Sequence, residues 1–272
     1  MSEMGDRAKQ FVHWSLLELA LEKSGRPFDL DISEMGAAPG RSNRIMREMG
    51  DDANIQWHGV GDVGEKGLLP VKIPLFRGLQ SYWPLWVNSK DLDKFENLRT
   101  VDDLNDFVLL QGQNWHTIAA FERVGCEVVT GRFLNLPKML SHNRADILPY
   151  TVIEARGMFG DHPEEMGLTP LEHVMVYMPT VMYFFVSPDN QELHDALYEG
   201  LLKSFEDGSY VQLLRTHPGT KDAFADIDLE NMHVIHIEAD NLDNGTWEIL
   251  DHFRIEPAEV YGDISAQTNL PQ

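Results

Sequence analysis

A single cysteine, Cys126, is all that the sequence contains. That excludes an intrachain disulfide and a cysteine-based zinc centre, and it leaves stability to packing. Basic residues are scarce as well: 22 Lys and Arg stand against 44 Asp and Glu, a formal net charge of −22. So acidic a surface repels phosphate backbones and the anionic face of membranes, so nucleic acid is not expected as a partner. The most apolar stretch, Val174 to Val186, is interrupted by Pro179 and is too short to cross a bilayer. The N-terminus reads Met-Ser-Glu-Met-Gly-Asp-Arg, without a basic start followed by an apolar core, so the chain as given shows no signal peptide. Internal repeats and low-complexity segments are absent too.

The remaining composition is that of a folded globular protein, with 43% hydrophobic and 24% charged residues among 272. That length predicts one large or two smaller domains. Apolar residues at helical spacing predict a helix from about Arg7 to Lys23, ended by Ser24-Gly25 and Pro27. Phe28 to Ile32 alternates apolar and acidic like a half-exposed strand. Gly36 to Gly40 reads as a loop, Arg41 to Met49 as a short helix, and Ile55 to His58, Val71 to Leu75 and Tyr82 to Asn88 as extended segments.

From Leu98 onward strands and helices alternate. Thr100 to Leu104 carries a capping box, because a Thr oxygen accepts an amide and an acid three residues on reciprocates. Val108 to Leu110, Glu127 to Val129, Ala145 to Leu148 and Met175 to Val186 read as strands. Thr117 to Val124, Leu134 to His142 and Gln191 to Glu206 read as helices, and a mixed tail with strand-like Val234 to Ile237 follows. Such alternation predicts an α/β fold of parallel sheets covered by helices.

The chemistry-bearing patterns are few. Gly59-Val60-Gly61-Asp62-Val63-Gly64 fits G-x-G-x-x-G, but Gly67 and Pro70 follow where a helix would have to begin, so it reads as a loop. His233 and His236 point to opposite faces of a strand, Glu172-His173 lacks a second histidine, and no metal or other cofactor is expected. G-x-S-x-G is absent, Cys126 reads as inert core, and Asn244-Gly245-Thr246 reads as a turn. More informative is Gln111 to Thr117, where a strand ends, a glycine turn follows and a helix begins. Free amides there favour an anion, Trp115 offers a stacking face, and ligands of open parallel sheets bind at this edge. An ordinary turn with Trp115 packed inside fits the same letters. Tyr82, Trp83, Pro84 and Trp86 form an aromatic cluster, and Arg77 and Arg144 are the basic residues placed nearest strand ends.

Several segments recur together in a familiar order: Leu16 to Gly25, Leu69 to Leu79, Gln111 to Trp115, Gly125 to Gly131, Met139 to Asp146, Tyr183 to Val186, and Gly200 to Leu202 with Asp207 to Tyr210. Together they resemble the type II periplasmic solute-binding proteins, the amino-acid-type substrate-binding components of ABC transporters. The resemblance implies two Rossmann-like lobes joined by two crossing strands, with lobe I at residues 1–97 and 181–272 and lobe II at 98–180. It implies a solute clamped by hinge closure without catalysis, a periplasmic location and a membrane ABC permease as partner. The candidate ligand-binding residues are Trp83, Asn114, Trp115, His116, Thr117, Arg77, Arg144 and Tyr150.

Relatives often carry an arginine where this chain has Trp83, and a basic residue near Tyr150. An aromatic ring cannot replace a guanidinium clamp on a carboxylate. The solute expected is therefore more apolar or ring-bearing than a simple α-amino acid, stacked on Trp83, Trp115 or Tyr150. The family's first strand and export signal would both precede residue 1, so the first lobe is expected to lack that strand here. Two rivals stand beside this reading: a ligand-sensing or degenerate scaffold that binds a protein partner, and a hydrolase or lyase using His116, His58 and Asp62.

Overall fold

The computed structural model describes residues 11–30, 55–61, 67–225 and 227–262. Along the chain these form α1 (Val12–Ser24), β1 (Ile55–Gly59), β2 (Leu69–Val71), β3 (Tyr82–Asn88), α2 (Val101–Leu104), β4 (Val108–Gly112), α3 (Thr117–Arg123), β5 (Glu127–Gly131) and α4 (Leu136–Ser141). There follow β6 (Ile147–Pro149), α5 (Ala155–Phe159), β7 (Leu168–Tyr177), β8 (Met182–Val186), α6 (Gln191–Glu206), α7 (Ser209–Thr216), β9 (His233–His236), α8 (Asn244–Phe253) and α9 (Pro257–Tyr261). None of the described helices is long and apolar enough to cross a membrane.

Of the described residues, those up to Gly78, Val181–Lys221 and Asn241–Arg254 form one compact unit, unit 1. Leu79–Thr180, Asp222–Asp240 and those from Ile255 onward form unit 2. The division differs from the expected one at residue 97 and in the tail. β3 is paired on both sides by strands of unit 2, and β9 pairs with β7, so both elements belong there.

Unit 1 has a sheet of order β1-β8-β2 among its described strands, and both pairings are antiparallel. Here the expected parallel arrangement does not hold. α1 buries Val12, Leu16, Leu17, Ala20 and Leu21. It stops where Ser24 Oγ donates to Leu21 O and Gly25 turns left-handed at φ 74°.

Unit 2 has a mixed six-stranded sheet of order β5-β4-β6-β3-β7-β9 among the described residues. β5, β4 and β6 run parallel, as expected, while β3 runs antiparallel to β6 and β7. Alternation along the strands sorts two cores. Leu85, Val87, Leu109 and Ile147 pack on one face with Ala120 and Phe121 of α3. Trp86, Leu110 and Leu148 pack on the other with Leu136 and Leu140 of α4 and Met158 and Phe159 of α5. Pro84 lacks an amide to donate, and the β3–β7 register shifts between it and Trp86.

The capping box forms: Thr100 Oγ1 accepts from Asp103 N at 3.2 Å, and Asp103 Oδ2 accepts from Thr100 N at 2.9 Å. Other expectations shift. Phe28–Leu30 form no strand, and Phe28 is 43% exposed with no ladder among the described residues to hold it. Residues 31–54, with the expected loop and short helix, lie outside the described residues, as do residues 1–10 and Asp62. Met175 to Val186 is two strands, parted at Pro179 where the chain passes from unit 2 to unit 1. Asn244 opens α8 rather than a turn, with Asp243 Oδ1 accepting from Thr246 N at 2.7 Å.

Candidate functional site: an aromatic shelf at the strand ends of unit 2

β4 and β6 are parallel, with Leu109 beside Ile147, so their C-terminal ends lie at the same edge of the sheet. Gln111, near the end of β4, is polar yet fully buried. Its Nε2 donates to Leu110 O at 2.9 Å and Pro149 O at 3.1 Å, and its Oε1 accepts from Thr117 Oγ1 at 2.6 Å. The side chain thereby ties β4, the end of β6 and the start of α3 together. Thr117 spends its hydroxyl proton on this bond and is itself 1% exposed, so its task is structural.

Between them the chain turns tightly. Trp115 N donates to Gly112 O at 3.3 Å, Gln113 N to Gly131 O at 3.0 Å, and Asn114 is left-handed at φ 67°. The Trp115 indole covers the α-carbon of Gly112 so closely that a Cβ there would overlap the ring. Glycine is thus needed at 112 to seat Trp115. The indole stacks at 5.8 Å and 29° on Tyr150, just past the end of β6, and meets Phe133 edge-on at 6.5 Å. Tyr150 meets Phe159 edge-on at 6.1 Å, and Phe159 stacks on Trp86 at 3.9 Å. Tyr150 and Trp86 are buried while Trp115 is half-buried, so Trp115 is the open end of an aromatic row.

Among the expected site residues, the structure brings together Asn114, Trp115, His116 and Thr117 with Tyr150. Asn114 is exposed and His116 half-buried. Of the remaining three, Arg144 and Trp83 lie elsewhere in unit 2, and Arg77 lies in unit 1. Arg144 is exposed two residues before Asp146, whose Oδ2 accepts from Val108 N at the start of β4. It therefore lies at the N-terminal ends of the strands, the edge opposite Trp115 and Tyr150. Trp83 packs on the other face of the sheet, in the core with Leu85 and Val87. Arg77 belongs to unit 1, where its Nε donates to Phe253 O at 2.6 Å and its guanidinium lies 4.6 Å from the Phe205 ring centre.

From Gln111 to Thr117 no Lys, Arg, Asp or Glu occurs, so the turn offers hydrogen bonds and ring faces without a fixed charge. α3 is two turns long, and its N-terminal His116 makes no side-chain cap, so its dipole adds little. Among the described residues no group of three His, Cys, Asp or Glu side chains converges as a metal site would. Sequence reading missed Gln111 and Phe159. The signal for Gln111 was a lone amide between Leu110 and Gly112, whereas nothing local marks Phe159.

No protein-family model matches the chain, and no curated protein matches it significantly. Solved structures do, and they define the architecture as that of the type II periplasmic binding proteins. The chain is similar to the arginine-, lysine-, histidine-binding protein ArtJ from Geobacillus stearothermophilus, with 14% identity and a TM-score of 0.54 over 76% of this chain and 85% of that one. It is similar to a histidine kinase sensor domain with similarity to periplasmic binding proteins, with 12% identity, a TM-score of 0.54 and the same coverage. The substrate-binding protein of an amino acid ABC transporter gives 13% identity and a TM-score of 0.51 over 76% and 86%. Likeness at this identity fixes the fold and leaves the ligand to the site.

Proposed function

We propose that the chain binds a small solute without chemical change, and that Trp115 and Tyr150 form the surface on which a ring or apolar group of that solute rests. The observation that carries this is the half-buried Trp115, seated on Gly112 and stacked on Tyr150 at the C-terminal ends of parallel strands. Open α/β sheets bind ligands at such ends. The fold is shared with the substrate-binding protein of an amino acid ABC transporter and with an arginine-, lysine-, histidine-binding protein. Without a cation in the turn, a free carboxylate has no bidentate partner there, which favours an aromatic or cyclic solute over a small acidic amino acid. Hinge closure, delivery to an ABC permease and a periplasmic location complete this reading.

The test is a thermal-shift screen over amino acids, sugars and aromatic amines, followed by calorimetry of any hit. A one-site ligand at a hundred times its Kd adds about 2.7 kcal/mol of stability. Trp115→Ala is expected to weaken the hit about tenfold or more, since base- or ring-stacking on an indole contributes about 1–3 kcal/mol. Gly112→Ala, which unseats the same ring, is expected to do likewise. Tight binding of glycine, alanine or glutamate, indifferent to Trp115, would refute the reading.

A second reading has its own support, the likeness to a histidine kinase sensor domain. In it the same bound solute is a signal to a protein partner rather than a cargo, and partner capture that depends on the solute would favour it.

A further inference from the structure

The acidic residues of unit 2 are spread unevenly over the parallel part of its sheet. Asp106, Glu127 and Asp146 stand at the N-terminal ends of β4, β5 and β6 or within two residues of them. Beyond those starts the carboxylates vanish: residues 111–121, 128–145 and 147–153 contain neither Asp nor Glu. A chain with 44 acids among 272 residues would place about six in those 36 positions. The three strands are parallel neighbours, so the segments that leave their C-terminal ends start from one edge, that of Trp115 and Tyr150.

A cation stands directly on this edge. Arg132 follows β5 and is exposed, and its guanidinium makes no hydrogen bond or ion pair with the described residues. Both of its chain neighbours touch the turn. Gly131 stands opposite Gly112 in the ladder, and its carbonyl accepts from Gln113 N at 3.0 Å. The Phe133 ring meets the Trp115 indole edge-on at 6.5 Å. Elsewhere carboxylates take up the arginines: Glu199 pairs with Arg26, Asp240 with Arg123, and Asp161 and Asp222 with Arg156. With two acids for every base in the sequence, an arginine without one, beside a ring surface, is the feature to explain.

We propose that Arg132 sets the charge selectivity of the shelf. The solute carries an oxyanion beside its ring, a carboxylate or its equivalent, and the same ring bearing an ammonium in its place is refused. The inference rests on the solute-binding reading above and names the charge class of that solute. The turn has no fixed charge, so the anion is met from the flank while the ring lies on Trp115. A guanidinium offers two parallel N–H donors to a carboxylate. It has no acceptor for an ammonium, and the carboxylates that would hold one are kept at the opposite edge. The net charge of −22 repels anions at long range, so an anionic solute needs a local cation of this kind.

Three probes with one ring test this on the full chain: indole-3-acetate, indole-3-acetamide and tryptamine, by calorimetry at about 20 mM and about 300 mM salt. At low salt the acid is expected to bind about tenfold more tightly than the amide, as a charge-assisted hydrogen bond supplies, and the amine more weakly than either. Arg132→Gln is expected to bring the acid down to the amide and to leave the amide unchanged, and high salt to act on the wild type in the same direction. Arg132 is exposed and bonded to none of the described residues, so the variant is expected to keep the wild-type Tm. Arg144→Gln removes the same charge at the opposite edge and is expected to keep the preference. An acid preference that survives Arg132→Gln, or tryptamine bound as tightly as indole-3-acetate, overturns the proposal. If the wider screen returns a different solute, one without an oxyanion overturns it, and one with an oxyanion is expected to weaken about tenfold in Arg132→Gln. A solute held equally by variant and wild type sinks the charge selectivity alone. A chain that no solute stabilises sinks the solute-binding reading and the selectivity together.

Discussion

His13 sits on the buried side of α1 with no exposed surface. Its ring stacks on Trp57 at 5.1 Å and 12°, meets Phe76 edge-on at 5.0 Å, and brings Nε2 to 3.0 Å from Met182 Sδ. Burial, helped by the nearby His217 imidazole, holds its pKa down at about 3. An unfolded histidine titrates near 6.5, so below that pH the unfolded chain takes up a proton that the native one refuses, and stability falls as pH drops toward 3. Between pH 7 and pH 5 this one group costs about 2 kcal/mol. His13→Phe is expected to lose about that much less over the same interval in urea unfolding, and an equal loss would mean that His13 accepts its proton in the fold. The apolar spacing around His13 was legible in the sequence. Its confinement was not, because Met182 lies 169 positions away. The same holds at the candidate site: Gly112, Asn114 and Trp115 read as a turn before a helix, while the ties of Gln111 to Pro149 and Thr117 show only in the fold.

Two elements with local signals were read correctly. Thr100 and Asp103 form their box within four residues, and α6 spans Gln191–Glu206 as its apolar spacing predicts. Phe28–Leu30, which depends on a partner, alternates like a strand but has no ladder among the described residues, and α5, α7, α8 and α9 were overlooked although Asp243 caps α8 and Glu256 caps α9. The packing of α1 on α6 shows what sequence spacing cannot reveal. Gly200 lies in the middle of α6, where glycine costs about 1 kcal/mol relative to alanine by helix propensity. A Cβ at that position would overlap the Ala20 carbonyl oxygen of α1, a backbone atom that cannot swing aside. Gly200→Ala is therefore expected to destabilise by about 1–3 kcal/mol in spite of the better propensity, as overpacked cores do. A gain in stability on chemical denaturation would show that the two helices separate easily. Gly208, left-handed at φ 78° with open space around it, is the control, where Ala costs only backbone strain of about 1–2 kcal/mol.

At the scale of the molecule the chain leaves unit 2 after Thr180, builds β8, α6 and α7 of unit 1, and returns at Asp222. The α/β class and the order of segments were legible because each strand–turn–helix step is marked by its own glycines and apolar runs. The return was not: the stretch from His233 read as a mixed tail, since β9 has four residues and its partner β7 ends more than fifty positions earlier. Yet β9 completes the sheet beside Val174–Tyr177, and the buried Ile235 and Ile237 join the core of Leu171, Val174 and Val176. Burial of those two side chains contributes about 3–6 kcal/mol, comparable with the whole stability of an ordinary domain at about 5–15 kcal/mol. Asp240 also pairs with Arg123 of α3. A chain ending at Lys221 would leave the apolar edge of β7 without its strand, and such edges aggregate. Comparison with a chain ending at Leu242 isolates the effect, because both lack α8 and α9 and differ only by the returning segment. The longer form is expected to stay soluble and keep a cooperative unfolding transition for unit 2, and the shorter to lose both. Equal yield and matching transitions from the two would mean that the sheet closes without β9, and that residues 222–240 merely lie against a unit that needs nothing from them.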